Sequence, residues 1–204
     1  MKRIKRIGTI LLSVLLFATL VAGCTKKSPT NPADPAPLDM LTQNGESEYR
    51  VLLSEKASPA EQTAANEIVD YVNSVTGVML MVVRDNAAEL RTTCKYISIG
   101  ENKLKEYAKI DNSNLNSDGY VLKKIRQTVF IVGECDRATL YGAYDWLERT
   151  LGVKFLSGSY EYIPEKKDVA LENIDVRRIP AFESRSVYYD ACNEDIYLGP
   201  KLGF

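Results

Sequence analysis

The sequence predicts an α/β (α+β) two-layer sandwich, with a mixed or antiparallel sheet of about four to six strands and two main helices on one face. Two segments of the 204-residue chain place apolar residues three and four positions apart, as helices that lie on a sheet do. Short apolar or alternating segments, typical of strands, precede and separate them. The resulting order is strand, helix, four strands, helix. Together these elements contain enough residues to form one hydrophobic core.

The first predicted strand is followed by a helix with clear start and stop signals. Tyr49–Ser54 is a short apolar segment typical of a strand. Ser58 is a favourable N-cap, a proline follows it, and Glu61 can complete a capping box. Gly77 can adopt the left-handed conformation that ends a helix. The apolar positions between these caps have helical spacing: Ala65, Ile68, Val72 and Val75.

The next segments predict two strands and a short helix. Val78–Val83 is a continuous apolar run, which predicts a strand covered on both faces. Tyr96–Gly100 alternates, so that Ile97 and Ile99 are expected on one face of the sheet. We expect a short surface helix within Glu101–Ala108.

A hairpin and a second long helix complete the predicted sheet layer. Tyr120–Lys124 and Thr128–Gly133 predict an antiparallel hairpin with its turn near residues 125–127. The second helix is predicted to run from an Asp136 cap to a Gly152 stop, with Gly142 allowing close packing on the sheet. Its apolar stripe comprises Leu140, Ala143, Tyr144, Leu147 and Leu151. A further strand is expected over residues 153–156.

The N-terminus has the pattern of a secretory signal. Four basic residues among the first six precede an uncharged, largely apolar run from Ile7 to Gly23. Leu20–Cys24 resembles the bacterial lipoprotein box, in which the cysteine is acylated and becomes the mature N-terminus. The alternatives are an ordinary signal peptide or an uncleaved anchor with an incidental cysteine. The favoured interpretation places the protein in the bacterial cell envelope, outside the cytoplasm, with the membrane as a partner through the lipid on Cys24.

The chain is therefore predicted to have four regions. Residues 1–23 are a signal peptide, and residues 24–47 are the lipidated cysteine and a Pro-rich tether. Residues 48–178 form the α/β domain, and residues 179–204 are a linker and a first strand of something larger.

Composition excludes several functions. With 26 basic and 27 acidic residues, the chain lacks the positive excess of a nucleic-acid-binding protein. It contains no histidine, which removes Ser-His-Asp and Cys-His catalysis and His-ligated metals. No GxGxxG or GxxxxGK[ST] motif occurs, so we expect neither cofactor nor metal. Cys94, Cys135 and Cys192 are expected to be unpaired, with one internal bridge as the alternative.

Several of these motifs occur in an order that resembles a known domain. Ile97–Gly100, Asp118–Tyr120, Arg137–Gly142 and Leu151–Val153 are similar to segments of the N-terminal α/β domain that precedes the catalytic barrel in α-glucuronidases and β-N-acetylhexosaminidases. Related bacterial glycoside-hydrolase-like lipoproteins share the pattern most closely. The resemblance covers roughly residues 48–192, and the chain departs from it in two ways. Ala138 stands where the family usually has glycine, and the cysteines at 94 and 135 are not part of the family pattern.

The resemblance implies an accessory role rather than a catalytic one. In those families the domain packs against the barrel, which carries the catalytic carboxylates. A barrel needs about 250 residues, so the 26 positions of residues 179–204 are expected to hold only a linker and its first strand. Arg185 and Asp190 match an arginine that holds a sugar hydroxyl and an aspartate five residues later, which makes them the substrate-binding candidates. No catalytic residue is expected within the chain.

The other polar and aromatic residues that could take part in catalysis or sugar binding are expected to have structural or solvent-exposed positions instead. Glu183, Glu194 and Asp195 lie near Asp190, and glycoside hydrolysis needs two carboxylates, but we expect these to be solvated acids. Arg137 is expected in an ion pair at the surface or a domain interface. The aromatic residues of the second helix are expected in the core rather than in a sugar-stacking platform: Tyr141, Tyr144 and Trp146.

Two functions follow from these observations. The first is a non-catalytic domain of a lipid-anchored glycoside hydrolase-like protein, inactive alone, whose parent would hydrolyse O-glycosyl bonds in polysaccharide. The alternative is a complete small surface lipoprotein that binds a glycan or a protein partner without catalysis.

Overall fold

A computed structural model describes residues 38–157, 160–182 and 198–202. Within these residues the strands are β1 (Asp39–Thr42), β2 (Arg50–Leu53), β3 (Met81–Arg84), β4 (Tyr96–Ile99), β5 (Tyr120–Ile125), β6 (Thr128–Gly133), β7 (Lys154–Ser157), β8 (Tyr160–Tyr162), β9 (Val169–Leu171) and β10 (Asp175–Arg178). The helices there are α1 (Pro59–Thr76), α2 (Lys103–Ala108), α3 (Asp136–Leu151) and α4 (Leu198–Leu202). None of these helices is long and apolar enough to cross a membrane.

The main sheet has six strands in the order β10-β5-β6-β4-β2-β3. Strands β3, β2, β4 and β6 are parallel, whereas β5 is antiparallel to both β6 and β10. Helices α1 and α3 pack on one face, where their apolar stripes meet the inward side chains of the central strands. The prediction of a mixed sheet with two main helices on one face is confirmed.

The local signals of the first helix and the hairpin act as predicted. Ser58 and Glu61 form a complete capping box at the start of α1, and Gly77 ends it with φ 75°. The hairpin of β5 and β6 turns at Arg126, whose φ is 54°. The short surface helix is also present, as α2, although its Leu104 is buried.

The start of α3 differs from the prediction. Cys135, not Asp136, is the N-cap, and its backbone is extended, with φ −134° and ψ 172°. The thiol cannot cap the helix because Sγ is directed at the Ser117 carbonyl oxygen, 2.9 Å away. Asp136 is the first helical residue, where a carboxylate still interacts favourably with the helix dipole.

Gly142 provides the close packing predicted for it. A Cβ atom at this position of α3 would lie 3.1 Å from Cγ2 of Ile131 and 3.3 Å from the ring of Tyr120. The helix can therefore approach β5 and β6 only because this residue lacks a side chain.

The prediction for Val78–Val83 is wrong in both extent and burial. The strand covers only Met81–Arg84 and lies at the edge of the sheet, where Met81 and Val82 are exposed. A continuous apolar run cannot distinguish a central strand from an edge strand, because that depends on which strand pairs beside it.

Four strands, β1, β8, β9 and β10, were not predicted, and one of them, β1, lies before the expected start of the domain. β1 pairs with β9, so the domain includes Asp39, nine residues before the expected boundary at residue 48. β10 adds the sixth strand of the main sheet. The strand expected at residues 153–156 is β7, which pairs with β8 in a separate two-stranded sheet.

The second face of the sheet is also partly covered. Leu104 of α2 and the loop residues Ile110 and Leu115 pack against Phe130 and Val132 in a second apolar cluster. The main sheet is therefore buried on both faces at its centre, and only its edges meet solvent.

Candidate functional site

The parallel strands β2, β4 and β6 have their carboxyl ends side by side at one end of the sheet, which we call the carboxyl edge. Open α/β sheets usually bind ligands at this position. Glu61 of α1 enters this edge and is only 5% exposed. Its Oε2 accepts the backbone N–H of Ser58 at 2.8 Å, and its Oε1 accepts that of Glu101 at 2.8 Å. The carboxylate thus joins the start of α1 to the loop after β4.

The backbone of Gly100 lies directly against the Glu61 carboxylate. Its φ is 63°, and a Cβ atom there would lie 1.7 Å from Oε1 of Glu61. The glycine is therefore required both by the left-handed backbone and by the space that the Glu61 side chain occupies.

Asp85 is the second buried carboxylate at this edge and is also 5% exposed. Its Oδ1 accepts the N–H of Glu55 at 3.0 Å, and its Oδ2 accepts that of Lys103 at 3.1 Å. Next to it, Asn102 caps α2 by accepting the N–H groups of Leu104 and Lys105 at 3.1 Å each. The oxygens of these side chains are thus occupied by backbone N–H groups at this end of the sheet.

A polar cluster lies where α4 packs on the helical layer. Lys201 Nζ is 2.6 Å from Oε1 of Glu161, whose Oε2 accepts the Tyr71 hydroxyl at 2.5 Å. The ammonium also lies 5.7 Å from the ring centroid of Tyr71 and 5.5 Å from that of Phe155. Leu198, at the start of α4, is almost fully buried. Residues 198–202 are thus an integral part of the domain.

Glu67 is a half-buried carboxyl group of α1 beside this cluster. Burial raises the pKa of the Glu67 carboxyl, and the opposing effects of Lys201 and a hydrogen bond with Tyr144 are smaller. Glu161 and Asp70 raise the pKa further.

The ion pairs on α3 are structural. Tyr120 donates its hydroxyl to Asp145 at 3.0 Å, and Arg149 holds the other oxygen of that carboxylate at 2.8 Å. Arg137 pairs with Asp118 at 2.6 Å, and the hydrogen bond with Asp118 raises the pKa of Arg137. This confirms the expectation of an ion pair for Arg137.

The aromatic residues of α3 also confirm their predicted role. Trp146 and Tyr144 are almost fully buried, and Tyr141 is nearly so. Tyr144 packs edge-on against Phe155, with ring centroids 5.2 Å apart. They form part of the core and not an exposed platform for sugars.

A groove of about 750 Å³ lies at the amino ends of β2, β3 and β4. Arg50, Met81 and Tyr96, the first residues of these strands, contribute to its walls. Lys95 also lines it and forms an ion pair with Glu48. A groove of this size can accommodate a small ligand.

The site residues predicted from the sequence are not among those described. Cys24, Arg185 and Asp190 lie outside the described ranges, as do Cys192 and the acidic residues at 183, 194 and 195. Within those ranges Cys94 and Cys135 are free thiols, and no group of three or more acidic or cysteine residues is arranged to hold a metal ion.

Sequence reasoning missed the structural importance of Asp85, Asn102, Glu67 and Lys201. Asp85 directly follows β3, and Asn102 comes three residues after the end of β4, positions from which polar side chains can reach the end of a sheet; this signal could have identified them. Glu67 and Lys201 gave no such signal, because 134 positions of sequence separate them.

Three comparisons with known proteins agree with this fold. The model of the glycosyl hydrolase family 67 N-terminus matches residues 37–146. A probable alpha-glucuronidase A from Aspergillus terreus (strain NIH 2624 / FGSC A1156) is 31% identical over 153 residues, which are 75% of this chain and 17% of that protein. A solved family GH115 4-O-methyl-alpha-glucuronidase, with specificity for decorated arabinogalactans, superposes with a TM-score of 0.53 at 18% identity. That match covers 71% of this chain and 19% of the other, so the chain spans less than a fifth of either protein.

Proposed function

Because the chain belongs to the family of glycosyl hydrolase family 67 N-terminal domains, we propose that it is the non-catalytic accessory domain of a lipid-anchored glycoside hydrolase-like protein. The parent activity would be hydrolysis of O-glycosyl bonds in a polysaccharide, with an α-glucuronosyl linkage suggested by the names of the similar proteins. The chain itself would contribute structure and not chemistry.

The observation that carries this proposal is the hydrogen bonding of the two buried carboxylates, those of Glu61 and Asp85. Glycoside hydrolysis needs two carboxyl groups on opposite sides of the scissile bond. At the carboxyl edge of the sheet, however, both oxygens of Glu61 and both of Asp85 accept backbone N–H groups. These groups cannot turn toward a substrate without breaking the connections between α1, α2 and the sheet.

Exposed apolar side chains support a role in packing against a catalytic barrel. Leu156, Tyr160 and Tyr162 of the small β7–β8 sheet are exposed, and so are Ile179 and Phe182 beyond β10. Large apolar side chains in contact with water are unfavourable unless another surface covers them. A barrel that follows this domain in the same protein would provide that surface.

Lipid anchoring is tested on the full chain expressed in bacteria with an alkyne-labelled fatty acid. We expect the wild-type chain to incorporate the label and to migrate as a form shortened by residues 1–23. Cys24→Ser should remain unlabelled and unprocessed, while the matched Cys94→Ser should behave as wild type. Equal labelling of wild type and Cys24→Ser would contradict the anchor.

Glycan binding without catalysis is a second candidate, favoured by the groove at the amino ends of β2, β3 and β4. Its volume of about 750 Å³ falls in the range of ligand sites, and Arg50 and Tyr96 supply a cation and an aromatic edge. Native gel electrophoresis in soluble arabinogalactan or glucuronic-acid-substituted xylan tests it. Binding would slow the wild-type chain and the control Arg178→Ala, but not Arg50→Ala. Equal mobility with and without polysaccharide would exclude this function.

A further inference from the structure

The two edges of the main sheet differ in how they are protected from other strands. One edge is β10, whose Asp175, Arg177 and Arg178 are charged and exposed. Charged side chains of this kind prevent edge-to-edge pairing. The opposite edge is β3, in the sequence Met-Val-Val-Arg, and it lacks that protection.

The apolar side chains at the β3 edge are strongly exposed. The exposed fraction is 69% for Met79, 65% for Met81 and 42% for Val82. The only charge of the strand, Arg84, is turned back along the sheet, where Nη1 donates to the carbonyl oxygen of Ser54 at 3.0 Å. The edge from residue 79 to residue 83 therefore presents no charged side chain.

Alternate backbone N–H groups of β3 do not face β2 and make no hydrogen bond within the described sheet. The N–H of Asp85 bonds to the carbonyl oxygen of Leu53 in β2 at 2.9 Å. Because successive residues of a strand alternate in direction, the N–H groups of Met81 and Val83 also face β2. Those of Val82 and Arg84 point away from the sheet, where another strand can pair with them.

We propose that two copies of this chain pair through β3 in an antiparallel arrangement, with the two-fold axis at Val82. The interface would join both six-stranded sheets into one sheet of twelve strands. A second copy is the occupant that fits, because its β3 offers the same short, uncharged edge. The charged β10 does not match it, so the contact closes as a dimer instead of extending into a filament.

This register brings no like charges together. Val82 would face its own copy across the axis, Met81 would face Val83 of the partner subunit, and Arg84 would face Leu80 of the partner subunit. The exposed methionine and valine side chains would then be covered on both faces of the joined sheet. Because a contact between two short strands is small, we expect a dissociation constant of about micromolar order. The dimer does not depend on the proposed accessory role.

Cysteine cross-linking of the full chain in its membranes tests the arrangement. Antiparallel partners have Cα atoms about 4.5–5.5 Å apart, which a disulfide can span. We expect Val82→Cys to give a species of twice the chain mass under mild oxidation, at least fivefold more than wild type with its native cysteines. Tyr107→Cys is the matched control, since Tyr107 is 66% exposed but belongs to α2 and not to a strand.

A second measurement separates loss of pairing from loss of folding. Light scattering on the detergent-solubilised full chain should give a dissociation constant at least tenfold higher for Val82→Lys than for the isosteric Val82→Thr, with matching circular dichroism spectra. The proposal is overturned if Val82→Cys and Tyr107→Cys cross-link equally, or if the cross-linked species contains a different protein. A monomeric wild-type chain at concentrations well above micromolar would also overturn it.

Discussion

At the residue scale, Glu61 is the side chain on which most of the carboxyl edge depends. It completes the capping box of α1 with Ser58 and also holds the N–H of Glu101, 40 positions further along the chain. Both bonds are charge-assisted, and the carboxylate is shielded from water, which makes the interaction stronger than at the surface. A substitution that removes it therefore leaves two backbone donors without a partner.

We expect Glu61→Ala to lower the free energy of unfolding by about 2–4 kcal/mol, because two hydrogen bonds to a charged group are lost. Urea unfolding followed by circular dichroism measures the change. Glu172→Ala, at an exposed position before β10, is the control and should fall within about 0.5 kcal/mol of wild type. A similarly small effect for Glu61→Ala would show that this carboxylate does not support the fold.

Glu67 gives a prediction about pH. Burial raises the pKa of its carboxyl in the folded chain, so the folded protein holds the proton more tightly than the unfolded chain. Its favourable contribution to stability is therefore complete at low pH and is lost as the pH rises through the folded-state pKa. Glu67→Gln, which stays uncharged, should melt a few degrees higher than wild type at pH 7.

The same substitution should have little effect near pH 4, where the wild-type carboxyl is largely protonated. Differential scanning calorimetry at both pH values measures the two melting temperatures, with the exposed Glu172→Gln as the control. A lower melting temperature for Glu67→Gln at pH 7 would mean that the contacts with Lys201 and Tyr144 outweigh the cost of burial.

At the scale of elements, the junction between β6 and α3 shows how a strand end and a helix start are fixed together. The N–H of Gly133 donates to Oγ1 of Thr139 at 3.0 Å. A Cβ atom on Gly133 would lie 2.3 Å from the backbone nitrogen of Thr139, so the chain turns as tightly as glycine permits. The hydroxyl therefore ties the end of β6 to the first turn of α3, whose N-cap Cys135 makes no side-chain hydrogen bond to that turn.

Thr139→Val keeps the shape of the side chain but removes the acceptor. We expect a loss of about 1–3 kcal/mol in unfolding free energy, because the buried N–H of Gly133 is left without a partner. Thr139→Ser retains the hydroxyl and is the matched control. Equal stability of the valine variant and wild type in urea unfolding would contradict the role assigned to this bond.

Elements that depend on residues close together in the sequence could be predicted, and elements that depend on pairing with distant segments could not. The start of α1, its end at Gly77 and the β5–β6 hairpin depend on residues a few positions apart. By contrast, β1 is a strand only because it pairs with β9, across about 130 residues of sequence. The edge position of β3 likewise depends on the absence of a neighbouring strand beyond it in the described sheet, which no local pattern encodes.

At the scale of the whole molecule, the family pattern predicted the fold and the domain family, whereas the accessory role remains a proposal. Arg137 was correctly expected in an ion pair from its position at the start of the second helix, and it pairs with Asp118. Arg185 and Asp190 came from resemblance alone and remain predictions. The carboxyl edge was not anticipated, since Glu61 and Asp85 acquire their roles from N–H groups on separate elements.

The central claim is that this chain supports a glycosidase without carrying out hydrolysis. The most direct measurement is turnover of 4-nitrophenyl α-D-glucuronide by the purified full chain, together with a panel of other aryl glycosides. The account predicts a rate equal to that of buffer for every substrate. Turnover by the wild-type chain that falls at least tenfold in Asp190→Asn or Glu194→Gln would contradict it.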